Sequence, residues 1–117
     1  MNIESYRDYC LSLKQAEEKM PFDDRVLVFT IKGKIFSLTD IDTFEIINVK
    51  CAPEEALVLR EEHEGVIPGY HMNKKHWNSI LTAKNIKESL IKKWIKDSYD
   101  LVVAGLPKKI QQELNQE

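Results

Sequence analysis

Nine consecutive residues, Tyr70-His-Met-Asn-Lys-Lys-His-Trp-Asn, hold two lysines, two histidines, two asparagines and two large aromatics. All are side-chain types that meet phosphates, sugars or bases. In that chemistry Lys74 and Lys75 would neutralise phosphates, and Asn73, His76 or Trp77 would touch sugar or base. The same stretch also fits a plain architectural role. Tyr70 and Trp77 would then anchor a strand pair in the core, with Lys74-Lys75 as its charged tip.

Other chemistries lack their parts. Gly33, Gly65, Gly69 and Gly105 are scattered, and none opens a phosphate-cradling glycine loop. Cys10 and Cys51 form no Cys-x-x-Cys pair, which leaves zinc-ribbon and redox readings without ligands and points to free thiols. His63 falls on an expected helix, and His71 and His76 are an odd number of residues apart, so an extended strand would point them to opposite faces. No metal site and no cofactor are expected. No nucleophile or acid–base pair is marked by a local motif, so a binding protein is favoured over an enzyme.

Charge is uneven along the chain. Through Gly65, 14 acidic residues outnumber 8 basic ones, a net of −6; from Val66 onward 9 lysines outnumber 5 acids, a net of +4. The lysine-rich half points to an anionic partner, or else to lysine-coated helices facing water. The overall charge of −2 gives bulk electrostatics no part in nucleic-acid or membrane binding. With 117 residues, the chain has room for one domain, 1–117, and one core. It has neither a signal-peptide pattern nor an apolar run near the roughly 20 residues that cross a bilayer, so a cytoplasmic protein with no membrane partner is expected, as a monomer.

Periodicity supplies the elements that must position these residues. Ile3, Tyr6, Cys10 and Leu13 predict a helix over 2–14 capped by Asn2. Residues 17–25, charged and carrying Pro21, read as a connector with a short extended piece near 19–22. Strands follow at 25–32 and 34–39, joined by a Lys32-Gly33 turn, and at 44–51. Pro53 opens a helix to about Glu64. A turn and short strand over 66–73 and a strand from His76 to Thr82 precede a helix over 86–104. That helix is expected to start from an Asn85-x-x-Glu88 capping box, with Trp94 on its buried stripe. Lys108 to Leu114 reads as a terminal helical turn. The order α-β-β-β-α-β-β-α predicts a two-layer α+β domain, an antiparallel sheet with helices 2–14 and 86–104 covering one face.

Read in full, Val66-Ile-Pro-Gly-Tyr-His-Met-Asn-Lys-Lys-His-Trp-Asn resembles the signature of the MmcQ/YjbR-like family of small bacterial proteins. Met20-Pro-Phe, Phe29-Thr-Ile-Lys-Gly-Lys-Ile-Phe-Ser-Leu, Asn48-Val-Lys-Cys-Ala-Pro-Glu, Leu59-Arg-Glu and Ser98-Tyr-Asp-Leu-Val-Val follow the same pattern in order. Ala52 departs from it, standing where relatives usually carry an acid. The resemblance implies a frataxin-like or secretion-chaperone-like arrangement and a double-wing motif proposed to bind DNA. It places Lys50, Arg60, His71, Asn73, Lys74, Lys75 and Trp77 on the family pattern, and with His76 these are the candidate nucleic-acid contacts. The competing reading is a chaperone-like protein-interaction module that uses an exposed sheet face or edge.

Overall fold

The computed structural model describes residues 1–116. Helix α1 (Ile3–Ser12) begins at Asn2, whose Oδ1 accepts from the Ser5 amide at 2.8 Å while Ser5 Oγ accepts from the Asn2 amide at 3.0 Å. This reciprocal cap satisfies amides that the first turn leaves free. Strand β1 (Ala16–Lys19) follows directly and pairs antiparallel with residues 28–31. The strand therefore lies earlier than the connector reading placed it. Its charges belong to an edge strand rather than a loop: Glu18 is held by Arg7, with Nε–Oε2 at 2.6 Å and Nη2–Oε1 at 2.5 Å.

Strands β2 (Val26–Ile31) and β3 (Lys34–Asp40) form the expected hairpin, with positive φ at both Lys32 (52°) and Gly33 (80°). Two left-handed residues match the twist of the flanking strands. Strand β4 (Ile46–Lys50) starts later than expected, because Phe44 takes a positive φ of 45° and its ring packs 5.6 Å from that of Tyr6. After α2 (Pro53–Glu62) come β5 (Val66–Pro68) and β6 (Trp77–Leu81).

The capping box expected at Asn85 is absent. Asn85 is left-handed (φ 54°) and ends a 3₁₀ turn over Thr82–Lys84, and α3 (Glu88–Ala104) starts from Lys87 without a side-chain cap. The last residues form α4 (Lys108–Asn115), which buries Leu114.

The six strands run in the order β1-β2-β3-β4-β6-β5, each antiparallel to its neighbours. The domain is thus α+β with one strand more than the sequence pattern indicates. One sheet face carries Leu27, Phe29, Phe36, Ile47, Val49 and Ile80 against Tyr6 of α1, Leu59 of α2 and Ile91, Trp94 and Ile95 of α3. Trp94 is 5% exposed, as the helical stripe requires. Polar atoms in this layer are paired: Ser98 Oγ donates to the Phe36 carbonyl at 2.6 Å and accepts from the Lys50 amide at 2.8 Å. Among the described residues, no helix packs on the opposite face. Among the described residues no helix is long and apolar enough to cross a membrane.

Candidate nucleic-acid interface

Strand register sets which residues meet at each end of the sheet. Ile31 pairs with Lys34, Lys50 with Trp77 and Pro68 with Asn78. The β2–β3 turn, the end of β4 and the β5–β6 connection therefore gather at one end. Lys34, Lys50 and Trp77 line a depression of about 480 Å³ there, together with Leu101, Gly105 and Leu106. Lys108 and Lys109, both exposed, open α4 two residues beyond Leu106.

The β5–β6 connection is braced from within. Arg60, half-buried on α2, donates from Nε to Asn78 Oδ1 at 2.7 Å and from Nη2 to the carbonyls of Trp77, at 3.2 Å, and Lys74. One planar guanidinium thus ties a helix to both sides of the turn. Asn73 stiffens the tip, its Oδ1 accepting from the Lys75 amide at 2.9 Å and its carbonyl from the Trp77 amide at 3.0 Å. Gly69 donates to the Trp77 carbonyl at 2.9 Å, and a Cβ on it would lie 2.8 Å from Trp77 Cβ, so the chain can close here only with glycine.

The candidate residues separate within this frame. Asn73, Lys74, Lys75 and His71 are exposed; Lys50, Arg60, His76 and Trp77 are half-buried. Lys74 folds back, its Nζ donating to the Gly69 carbonyl at 3.1 Å, and Lys75 is exposed. Bracing of the turn by both flanking aromatics is not what is found: Tyr70 is 56% exposed, and Arg60 does that work. His71 has a φ of 58° and its ring lies 4.1 Å from that of Tyr70. The third histidine, His63, packs edge-on to Trp94 at 5.0 Å. Among the described residues, no group of three His, Cys, Asp or Glu side chains is placed to hold a metal ion.

Two lysines of this end, Lys32 and Lys34, are exposed on the β2–β3 turn and were not among the sequence candidates. The signal was present as Lys-Gly-Lys at a two-residue hairpin turn, but nothing in the sequence placed that turn beside Lys50 and Trp77. The lysines of α3 behave differently. Lys92 is 3.7 Å from Glu88, Lys93 2.7 Å from Asp97 and Lys96 2.5 Å from Asp100, all one helical turn apart. Asp97 holds the Lys93 ammonium above its ordinary range by hydrogen bond and charge. By contrast, Lys32, Lys34, Lys50, Lys74 and Lys75 lie in no ion pair among the described residues. Beside Lys50, the half-buried Cys51 thiol is pushed up, first by burial and then by the charge of Glu55.

A two-layer α+β domain with a six-stranded antiparallel sheet and two hairpin connections bearing lysine at one end is the class defined by these features. The family model for YjbR matches residues 11–101, and the chain belongs to that family. It is 38% identical over 112 residues to the uncharacterized protein YbdF of Escherichia coli O157:H7, covering 95% of this chain and 92% of that one. It is 33% identical over 98 residues to the uncharacterized protein YyaQ of Bacillus subtilis, covering 84% and 79%. The crystal structure of Deinococcus radiodurans protein DR2400 superposes with a TM-score of 0.90 at 33% identity, covering 97% of this chain and 88% of that one.

Proposed function

We propose that the protein is a DNA-binding module that grips the phosphate backbone with the lysine-bearing end of its sheet. The observation that carries this reading is the placement of Lys32, Lys34, Lys50, Lys74 and Lys75 on two hairpin turns and the strand end between them, outside the ion pairs of the described residues. A lysine already paired with a carboxylate must break that pair to meet a phosphate, whereas an unpaired one releases only counterions from DNA. The two turns act as the wings, with Trp77 between them and Arg60 keeping one of them rigid. Contacts of this kind hold DNA without reading sequence.

A salt titration of binding to short duplex and single-stranded DNA tests the reading. Five phosphate contacts give a slope of log K against log salt of up to about −4.5 on duplex DNA. Replacing Lys74 and Lys75 by alanine reduces it by up to about 1.8, equally for unrelated sequences. No binding at low salt by the folded protein overturns the proposal and favours the protein-interaction reading.

A further inference from the structure

Ile47, Val49 and Ile80 point into the core, so their strand neighbours Ile46, Asn48 and Ser79 face the side of the sheet without helices. Two connections from opposite ends of the sheet fold over that side. Phe22 comes from the β1–β2 connection and is 67% exposed; Tyr70 and Met72 come from the β5–β6 connection. Together with Leu38, Ile46 and Asn48 they line a concavity of about 600 Å³, within the range that small ligands occupy.

Its polar groups narrow the ligand. The Tyr70 amide donates to Ser79 Oγ at 2.9 Å, and the Ser79 hydroxyl donates onward to Asn48 Oδ1, at 2.5 Å. The Asn48 amide is thereby fixed, and its Nδ2 is left as a donor with no protein acceptor among the described residues. Arg25 also lines the concavity, but its Nη2 lies 3.0 Å from Asp40 and its Nε 3.2 Å from Asp42. The guanidinium is thus committed, Asp40 and Glu45 add negative charge to the lining, and His71, its ring 4.1 Å from that of Tyr70, is the one other basic side chain there. An uncharged planar ring suits the site: exposed aromatic rings to stack on, an apolar base, and one oriented donor for a ring carbonyl or nitrogen.

We infer that this concavity is a stacking site for an unpaired nucleobase, held by Phe22 and Tyr70 and hydrogen-bonded by Asn48 Nδ2. The inference rests on the DNA-binding reading for its source of bases, because Lys74 and Lys75 stand on the same connection as Tyr70. A single strand can then meet the lysines with its backbone and the sheet face with a base, whereas an intact duplex keeps its bases stacked. A free nucleoside offers the same ring without the strand.

The test compares labelled oligothymidylate with an abasic strand of equal length and charge. The folded protein binds the first at least about fivefold more tightly, since stacking adds to the electrostatic term. Phe22→Ala with Tyr70→Ala abolishes that preference without changing the salt slope, and Tyr70→Phe, which keeps the ring, retains it. Equal affinity for the two strands overturns the stacking site while leaving the backbone reading standing. If neither strand binds, the DNA-binding reading fails, and titration with free thymidine and adenosine followed by amide NMR decides the site. Shifts confined to residues 22, 48 and 70–72 then uphold it with the nucleoside as ligand; unshifted amides overturn it.

Discussion

The two sides of the sheet were built by the same strands and have different fates. On the helix side every large apolar side chain meets another, and the polar atoms of Ser37, Ser98 and Tyr99 are paired, Ser37 Oγ lying 2.7 Å from the Tyr6 hydroxyl. On the other side, and at the end where the hairpins turn, aromatic rings and lysines face solvent. Alternation along a strand sends Phe29 and Ile80 to the helix side and their neighbours Val28 and Ser79 to the other, where these too are buried, so the exposed rings there are those of Phe22 and Tyr70 on the connections. Substitutions on the two sides should therefore affect different measurements.

The largest stability effect belongs to the helix side. Trp94→Ala should cost about 3–5 kcal/mol, read from denaturant midpoints, because the indole is buried against the sheet and His63. Where that variant remains folded, its salt slope on DNA should match that of the parent. Lys32→Ala, Lys34→Ala and Lys75→Ala combined should do the reverse, flattening the slope by about 2.7 with little loss of stability. Parallel changes in both measurements would dissolve the distinction between the two sides.

Arg60→Gln should affect both, since the guanidinium fastens the β5–β6 turn to α2. A loss of about 2 kcal/mol is expected from the charge-assisted bonds it removes, together with weaker DNA binding. Arg60→Lys should not restore either, because an ammonium cannot span three acceptors in one plane.

At the β1 edge, hydrogen bonds from Arg7 hold the Glu18 carboxyl below its ordinary range. Its folded value lies below its unfolded one, so the stabilisation is present above the unfolded value, near 4.3, and is lost as pH falls through the folded value. Arg7→Gln should flatten that acid limb of stability against pH and leave the neutral region nearly unchanged. The smallest effect is expected on α3: alanine at Lys92, Lys93 and Lys96 should leave the salt slope unaltered and cost a few tenths of a kcal/mol per pair. A marked drop in slope would bring that helix into the interface.

Much of the fold was legible because local rules and tertiary demand agree. The Lys32-Gly33 turn, Pro53 at a helix start, Asn2 as a cap and the α3 stripe ending in Val102 each follow from residue type and spacing. The errors fell where a tertiary contact outweighed a local pattern. Asn85 has the composition of a cap but ends a 3₁₀ turn instead, and the charges of β1 read as a loop until Arg7 is seen across the edge from Glu18. Tyr70 looked like an anchor because aromatics usually bury, yet here it projects from a connection folded over an open face.

Residue types and spacing alone establish the antiparallel α+β class, the buried stripe of α3 and the family pattern around Lys74 and Lys75, since periodicity and turn chemistry act over a few residues. Which lysines stand outside the ion pairs of the described residues depends on tertiary contacts. A lysine on α3 finds an acid one turn away along its own helix, whereas Lys34 and Lys50 are brought to one depression beside Trp77 by strand pairing between distant segments, a proximity that spacing in sequence does not encode.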